Sequence, residues 1–360
     1  MILSIESSCD DSSIAITRLS DKKLLFHKKI SQDAEHAKYG GVVPELAARL
    51  HAVTLPKILE EAQPYFSELK AIAVTNEPGL SVSLVEGVSM AKALSVALHL
   101  PLLGINHLKG HICSLFIEDE IRFPMDVLLV SGGHTQLLHV KSLEEITLLA
   151  TTMDDSFGES FDKVGKMLGL PYPAGPLIEA YALKGNAKRF DFTIPLQGTS
   201  TSLLAFSYSG LKNQVRLCVE AQEKLDEQTI CDICASFQRV AVAHLMQKIK
   251  KAYKERSVEH FGVVGGASAN LYLRGELEAF CASKKATLHT AKMEFCSDNA
   301  AMIGRCAVEA YAKGTFVSIV DLKVRSTYER LFSFNLLRFK CKLVSKGIRK
   351  IDGSPSAYFF

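Results

Sequence analysis

The chain has 360 residues, enough for roughly two domains, and 48% hydrophobic against 22% charged residues excludes global disorder. A net charge of +3 is too small to prove a polyanionic partner, and nine cysteines at scattered spacing fit a reducing compartment better than a disulfide framework. The first residues, MILSIESSCDDSS, have no basic stretch and break at Glu6, so they do not read as a signal peptide, and the longest apolar stretch contains Lys92 and His99 and meets Pro101; a cytoplasmic chain with no membrane span is expected.

In chain order, MILSIES, SSIAITRL and KLLFHKKIS read as three short strands. PELAARLHAVTLPKILEEA reads as a helix with proline in its first turn. AIAVT then reads as a strand, VSLVEGVSMAKALSVALHL as a helix, LLGI as a strand, and a helix follows through INHLKGH. From Asp126 the same order starts again: DVLLVSG, TQLLHV and ITLLATT as strands, then GESFDKVGKMLGL as a helix. After a mostly helical insertion come HFGVVGG, NLYLRGELEAFCASKK, ATLHTA and SDNAAMIGRCAVEAYA as strand, helix, strand and helix. This is a topological duplication, and it predicts two α/β domains facing each other across a ligand-binding cleft. Cys231 and Cys234 form a CxxC inside a helical pattern, where buried thiols are the better reading.

Small-residue turns, SSCDDSS and SGGHT, lie between the first two strands of each half. Such turns bring backbone N–H groups close to an anion, and two at equivalent places suggest a phosphate between them. GGASAN, where a later strand meets a helix, is a third approach of this kind. His107 and His111 are four positions apart, on one face of a helix and close enough to share an ion, although such a pair alone is more often structural.

Taken together, IESSCDDSS, HAKYGGVVPELAARLH, NHLKGH, LLVSGGHTQL, DDSFGESFDKVGKMLGLPYPAGP, FSYSGLK, GGASAN and FCSDNAAMIG resemble the bacterial tRNA N6-adenosine threonylcarbamoyltransferase family, formerly called O-sialoglycoprotein endopeptidase. The resemblance covers about residues 1–328 and implies a duplicated actin-like fold of the sugar-kinase and heat-shock-ATPase superfamily, with two lobes around a nucleotide cleft. The expected division is 1–125 plus 299–330 as lobe I, 126–298 as lobe II with a helical insertion, and 331–360 as a basic extension. Between Leu331 and Lys350 that extension carries six basic and no acidic residues. It departs from the family pattern and reads as a poorly ordered or lineage-specific addition in preference to an RNA-binding arm.

The resemblance further implies one divalent metal per subunit, Fe(II) ahead of Zn(II), on His107, His111 and Asp298. Without the family, Asp298 would read as a carboxylate at a helix N-terminus. Val130, Ser131, Gly132, Gly133 and His134 match the substrate-binding loop. Asp162, Gly175 and Glu179 match positions around ribose and adenine, and Gly265, Gly266 and Asn270 complete the nucleotide pocket. Asp10 matches an acidic position near the reacting centre, as general base or as an orienting group. Glu159 and Lys212 are motif residues without an assigned role.

The implied reaction moves a threonylcarbamoyl group from threonylcarbamoyl-AMP to the exocyclic amine of the adenosine 3′ of the anticodon, in tRNAs reading codons that start with A. The implied partners are tRNA, an inactive actin-like paralogue as heterodimer, a small P-loop ATPase and the enzyme that makes the adenylate. A metallopeptidase is disfavoured because Leu108 stands where its glutamate base would follow the first histidine. A non-catalytic actin-like nucleotide-binding subunit would not need both histidines and Asp298. A kinase of the same superfamily would lack the tRNA requirement.

Overall fold

The computed structural model describes residues 1–197 and 204–326; the basic 331–360 extension lies outside them. The first half contains β1 (Ile2–Glu6), β2 (Asp11–Thr17), β3 (Leu24–Ser31), α1 (Asp33–Ala37), α2 (Pro44–Ala62), β4 (Ala71–Glu77), α3 (Ser81–Leu98), β5 (Leu102–Asn106) and α4 (His107–Cys113). The second contains β6 (Met125–Val130), β7 (Thr135–Val140), β8 (Ile146–Thr151), α5 (Phe157–Met167), α6 (Gly175–Ala182), α7 (Ser209–Glu220), α8 (Glu227–Ala252), β9 (His260–Val264), α9 (Leu271–Lys284), β10 (Thr287–Thr290) and α10 (Ala300–Ala312).

Each half builds a five-stranded sheet, and the two orders are the same: β3-β2-β1-β4-β5 and β8-β7-β6-β9-β10. In both, the first three strands are antiparallel, and the first pairs parallel to the fourth, as in Ile2 opposite Ala71 and Asp126 opposite Phe261. Helices make the parallel crossovers, which a two-residue turn could not. The duplication expected from the strand pattern is therefore present in the hydrogen bonding. β1 and β6 are buried throughout, as strands with neighbours on both sides and helices on their faces must be.

Sequence periodicity did not indicate α1, which has five residues and no repeating apolar stripe. The helical insertion resolves into α6, α7 and the 26-residue α8, on which Cys231 and Cys234 are buried. α3 has the length and apolarity of a membrane span, but Leu84, Val88 and Ala91 are buried and it packs against α2 and β4.

α4 and α10 lie between the sheets. One core cluster takes Ala73 and Ile105 from the first sheet, Leu129 and Leu138 from the second, Leu108 and Ile112 from α4, and Ile303 and Ala307 from α10. At 1.5–3 kcal/mol for each large apolar side chain removed from water, such a cluster is a main source of cohesion between the halves. α10 follows β10 but crosses back to pack on β1 and β2. Ala300 at its start donates its N–H to Ser13 Oγ (3.0 Å) and accepts from Ser4 Oγ (2.8 Å). Gly304 permits this closeness, since a Cβ there would stand 2.5 Å from Thr17 Oγ1 and 2.9 Å from Ser4 Oγ. Gly304→Val is therefore expected to destabilise the fold by about 1–3 kcal/mol through overpacking; a lower urea midpoint checks it, and an unchanged midpoint counts against this view of the helix.

Candidate metal centre and nucleotide cleft

Asn106 ends β5 and caps α4, its side chain accepting from the N–H groups of Leu108 (3.0 Å) and Lys109 (3.2 Å). His107 thus occupies the first helical position and His111 the same face one turn on, with ring centroids 4.6 Å apart. Asp298 Oδ1 lies 3.4 Å from His107 Nε2 and 3.2 Å from His111 Nε2. One donor atom from each of the three falls within 4.8 Å of the others. Asp298 does not cap α10, because Asn299 does so, accepting from Met302 N–H at 2.9 Å. The aspartate is left to face the imidazoles.

The chemistry of the three groups fits a divalent cation. His111 is 1% exposed, yet among the described residues its Nδ1 has no partner and its Nε2 has only the Asp298 carboxylate nearby, without hydrogen-bond geometry. Leaving buried polar atoms unpaired costs free energy that a coordinated ion would offset. Two imidazoles and one carboxylate also leave coordination positions for substrate oxygens. Burial lowers the basicity of both rings; at His107 the Asp298 and Glu6 carboxylates outweigh it and raise the ring well above its usual value, whereas His111 stays lowered. Burial raises Asp298, but the two imidazoles hold it well below the carboxylate range.

Behind these three candidate ligands is a layer that sequence reasoning missed. Glu6, fully buried at the end of β1, lies 3.3 Å from His107 Nδ1 and accepts from Ser8 N–H (2.6 Å) and Thr75 Oγ1. Ser8 Oγ is 3.1 Å from the same Nδ1. The only signal was a charged residue at the end of an apolar strand, which reads equally as the strand's exit. His51 Nε2 bonds Cys9 O (2.9 Å) and its Nδ1 bonds Ser12 Oγ (2.7 Å), so the PELAARLH helix braces the Cys9–Ser12 turn. Burial raises Asp10, as do Asp298 and Asp33, against a thiol bond from Cys9. Asp11 is pushed up to about 7 by burial, despite Lys29 at 3.0 Å. Lys29 also donates to Ser297 Oγ (2.7 Å), beside Asp298.

The second half supplies the glycine turns. Ser131 N–H donates to His134 O (2.9 Å), His134 N–H donates to Ser131 Oγ (3.0 Å), and Ser156 Oγ donates to Gly132 O (2.6 Å), fixing the Val130–His134 turn. Gly132 and Gly133 are exposed, and a Cβ on either would meet nothing within 4 Å among the described residues, which leaves room beside them for a ligand. Gly265 is different: its φ is +92° and a Cβ would come 2.3 Å from Val130 O, so only glycine brings β9 this close to the turn. Gly266 faces Ser297, whose Cα would lie 3.9 Å from its Cβ. The glycine turns and the Asp298 loop therefore meet.

The remaining expected nucleotide residues hold one another in place. Asn270 caps α9, accepting from Leu273 N–H and donating to Gln238 (2.9 Å), and Glu179 Oε1 accepts from the next two N–H groups, those of Leu271 (2.6 Å) and Tyr272 (3.3 Å). Asp162 accepts from Ala174 N–H (2.8 Å), just before Gly175 opens α6, and burial raises its pKa. Asp10 raises Asp162 further, and the half-buried Tyr172 hydroxyl is raised by desolvation and by both carboxylates. Glu159 forms a capping box with Ser156, and Lys212 pairs with Asp155 (2.5 Å), which gives both motif residues a structural task.

The family model for tRNA N6-adenosine threonylcarbamoyltransferase matches residues 23–305. The curated enzyme of that description from Nitratiruptor sp. is 63% identical over 319 residues, covering 89% of this chain and 96% of its own. Its counterpart from Wolinella succinogenes is 62% identical over 326 residues, 90% of this chain and 98% of its own. Among solved structures, HypF of T. kodakarensis aligns with TM-score 0.58 at 13% identity over 90% of this chain and 49% of its own. Component A of the Acidaminococcus fermentans (R)-2-hydroxyglutaryl-CoA dehydratase aligns at 0.51 and 14%, over 87% and 97%. These distant likenesses show the actin-like fold. The chain belongs to the tRNA N6-adenosine threonylcarbamoyltransferase family, and it is a transferase.

His134 ends the glycine turn; burial, with the charge of His107 and His111 adding to it, pushes it down to about 4. Its unfolded value is higher, so the unfolded chain takes up the proton first: stability present above pH 6.5 is lost as pH falls towards 4, by up to about 3 kcal/mol. Urea midpoints of the chelated protein between pH 7 and 4.5 are expected to fall more steeply for wild type than for His134→Asn. Parallel curves would contradict this.

Proposed function

We propose that the cleft holds threonylcarbamoyl-AMP with its phosphate at the Ser131–Gly133 turn and its carbamoyl carbon beside His107, His111 and Asp298. The observation that carries this is the meeting of the glycine turns with the Asp298 loop, through Gly265 on Val130 and Gly266 on Ser297. The acceptor is the N6 amine of the adenosine 3′ of the anticodon, in tRNAs reading codons that start with A. A divalent cation on His107, His111 and Asp298, Fe(II) in preference to Zn(II), supplies a Lewis acid for the developing charge.

The chain's own groups do the rest. Ser131, Gly132 and Gly133 present backbone donors to the phosphate. Gly265 and Gly266 let adenine approach the β9 backbone, and Asn270, Glu179, Asp162 and Gly175 frame the nucleoside. Asp10, its carboxylate made more basic by burial, accepts the proton as N6 bonds to the carbamoyl carbon and AMP departs with the anhydride oxygen. His134 stays neutral above its lowered pKa and adds no charge beside the cation. The acceptor base leaves the anticodon-loop stack to reach this carbon.

In this reading residues 1–125 and 299–330 act as one lobe and 126–298 as the other. The protein works in the cytoplasm with an inactive actin-like paralogue, a small P-loop ATPase and the adenylate-forming enzyme.

Single-turnover transfer from preformed adenylate to unmodified tRNA, with partners supplied, is expected in wild type. It should drop on the order of 10²-fold or more in His111→Ala and Asp298→Ala, matching the several kcal/mol a Lewis acid contributes. Unimpaired variants would reject the metal assignment, and an inactive wild type with active partners would reject the transfer. Gly133→Ala is expected to hold its folding midpoint within about 0.5 kcal/mol, having nothing to strike, while weakening adenylate binding. Unchanged binding would move the phosphate elsewhere.

A further inference from the structure

We propose that Glu6 is a positioning residue of the metal centre: its carboxylate accepts a hydrogen bond from His107 Nδ1–H and so fixes the tautomer whose Nε2 lone pair faces the cation. The inference rests on the metal reading of His107, His111 and Asp298 and extends it to a residue outside the ligand set. The His107 ring points one nitrogen at each of two carboxylates, Nδ1 to Glu6 Oε2 (3.3 Å) and Nε2 to Asp298 Oδ1 (3.4 Å). The Ser8 hydroxyl, 3.1 Å from Nδ1, shares the same side.

Charge supports this use of Glu6. A fully buried carboxylate needs a compensating charge. Among the described residues, its hydrogen-bonding partners are Ser8, Thr75 and His107, with no lysine or arginine. Among these partners positive charge reaches it only through the imidazole, from a cation on the far nitrogen. A purely structural anchor for Ser8 and Thr75 could equally be a neutral glutamine, whereas a carboxylate behind a ligating histidine both selects the tautomer and strengthens the ligand. Among the described residues His111 Nδ1 has no hydrogen-bond partner, so Glu6 gives the site its one imidazole held from behind the ligating nitrogen.

The test is Co(II) titration of the metal-free full-length chain, followed by visible absorption and chelator competition, in wild type, Glu6→Gln, Thr75→Val and His111→Ala. Glu6→Gln is expected to bind Co(II) about 10–100-fold more weakly with an altered spectrum, and Thr75→Val, which touches the carboxylate but not His107, to stay within about threefold. In Zn(II)-loaded wild type, nitrogen-15 histidine spectra should show a slowly exchanging His107 Nδ1–H at low field that moves upfield in Glu6→Gln. Wild-type Co(II) affinity and ring-nitrogen signals in folded Glu6→Gln would overturn the proposal. If that variant does not fold, a wild-type His107 protonated at Nε2, or lacking a protected Nδ1–H, overturns it. Co(II) binding absent from wild type, or undiminished in His111→Ala, would instead reject the metal centre itself, and this proposal with it.

Discussion

One imidazole lies between the buried carboxylate of Glu6 and the part-exposed one of Asp298, and much of the architecture serves to keep it there. Glu6 ends β1, His107 begins α4, and Asp298 comes from the loop before α10, close to two hundred positions later in the chain. None of these residues could hold the others by local structure. They meet because α10 returns from the second sheet to the first, pinned at Ala300 by Ser4 and Ser13 and seated closely at Gly304. The same seat places Asn299 at the cap and leaves Asp298 for the histidines.

The duplicated topology explains why the glycine turns adjoin this cluster. Glu6, Asn106, Val130 and Val264 all stand at the carboxyl ends of parallel-paired strands, where α/β folds bind their ligands. One half contributes imidazoles and acidic groups; the other contributes glycine turns. Two glycines do different work in that second half. Gly265 is required by the close approach of β9 to the β6 turn, while Gly133 borders space that the described residues do not fill.

The repeat was legible in the chain because each half alternates strand and helix patterns in one order, and amphipathic periods survive divergence that erases identity. α2 was legible to its ends, since Pro44 opens it and its apolar spacing continues to Ala62. α1 was not, being one turn long. The histidine pair gave only a spacing, and its third partner came through the family pattern, because the contact joins distant segments. Glu6 was visible as a residue but not as a partner, since a strand-end carboxylate looks the same whether it meets water or an imidazole. The network of Asp162, Glu179 and Asn270 was equally hidden: sequence placed them by motif, and only the fold shows two of them capping the same helix, α9.

The central claim is that His107, His111 and Asp298 form one metal centre. X-ray absorption at the cobalt edge, on the full-length protein loaded with one equivalent of Co(II), tests it most directly. The account expects oxygen and nitrogen donors with outer-shell scattering from two imidazoles, falling to one in His111→Ala. A spectrum without imidazole scattering, or one that His111→Ala leaves unchanged, would contradict it.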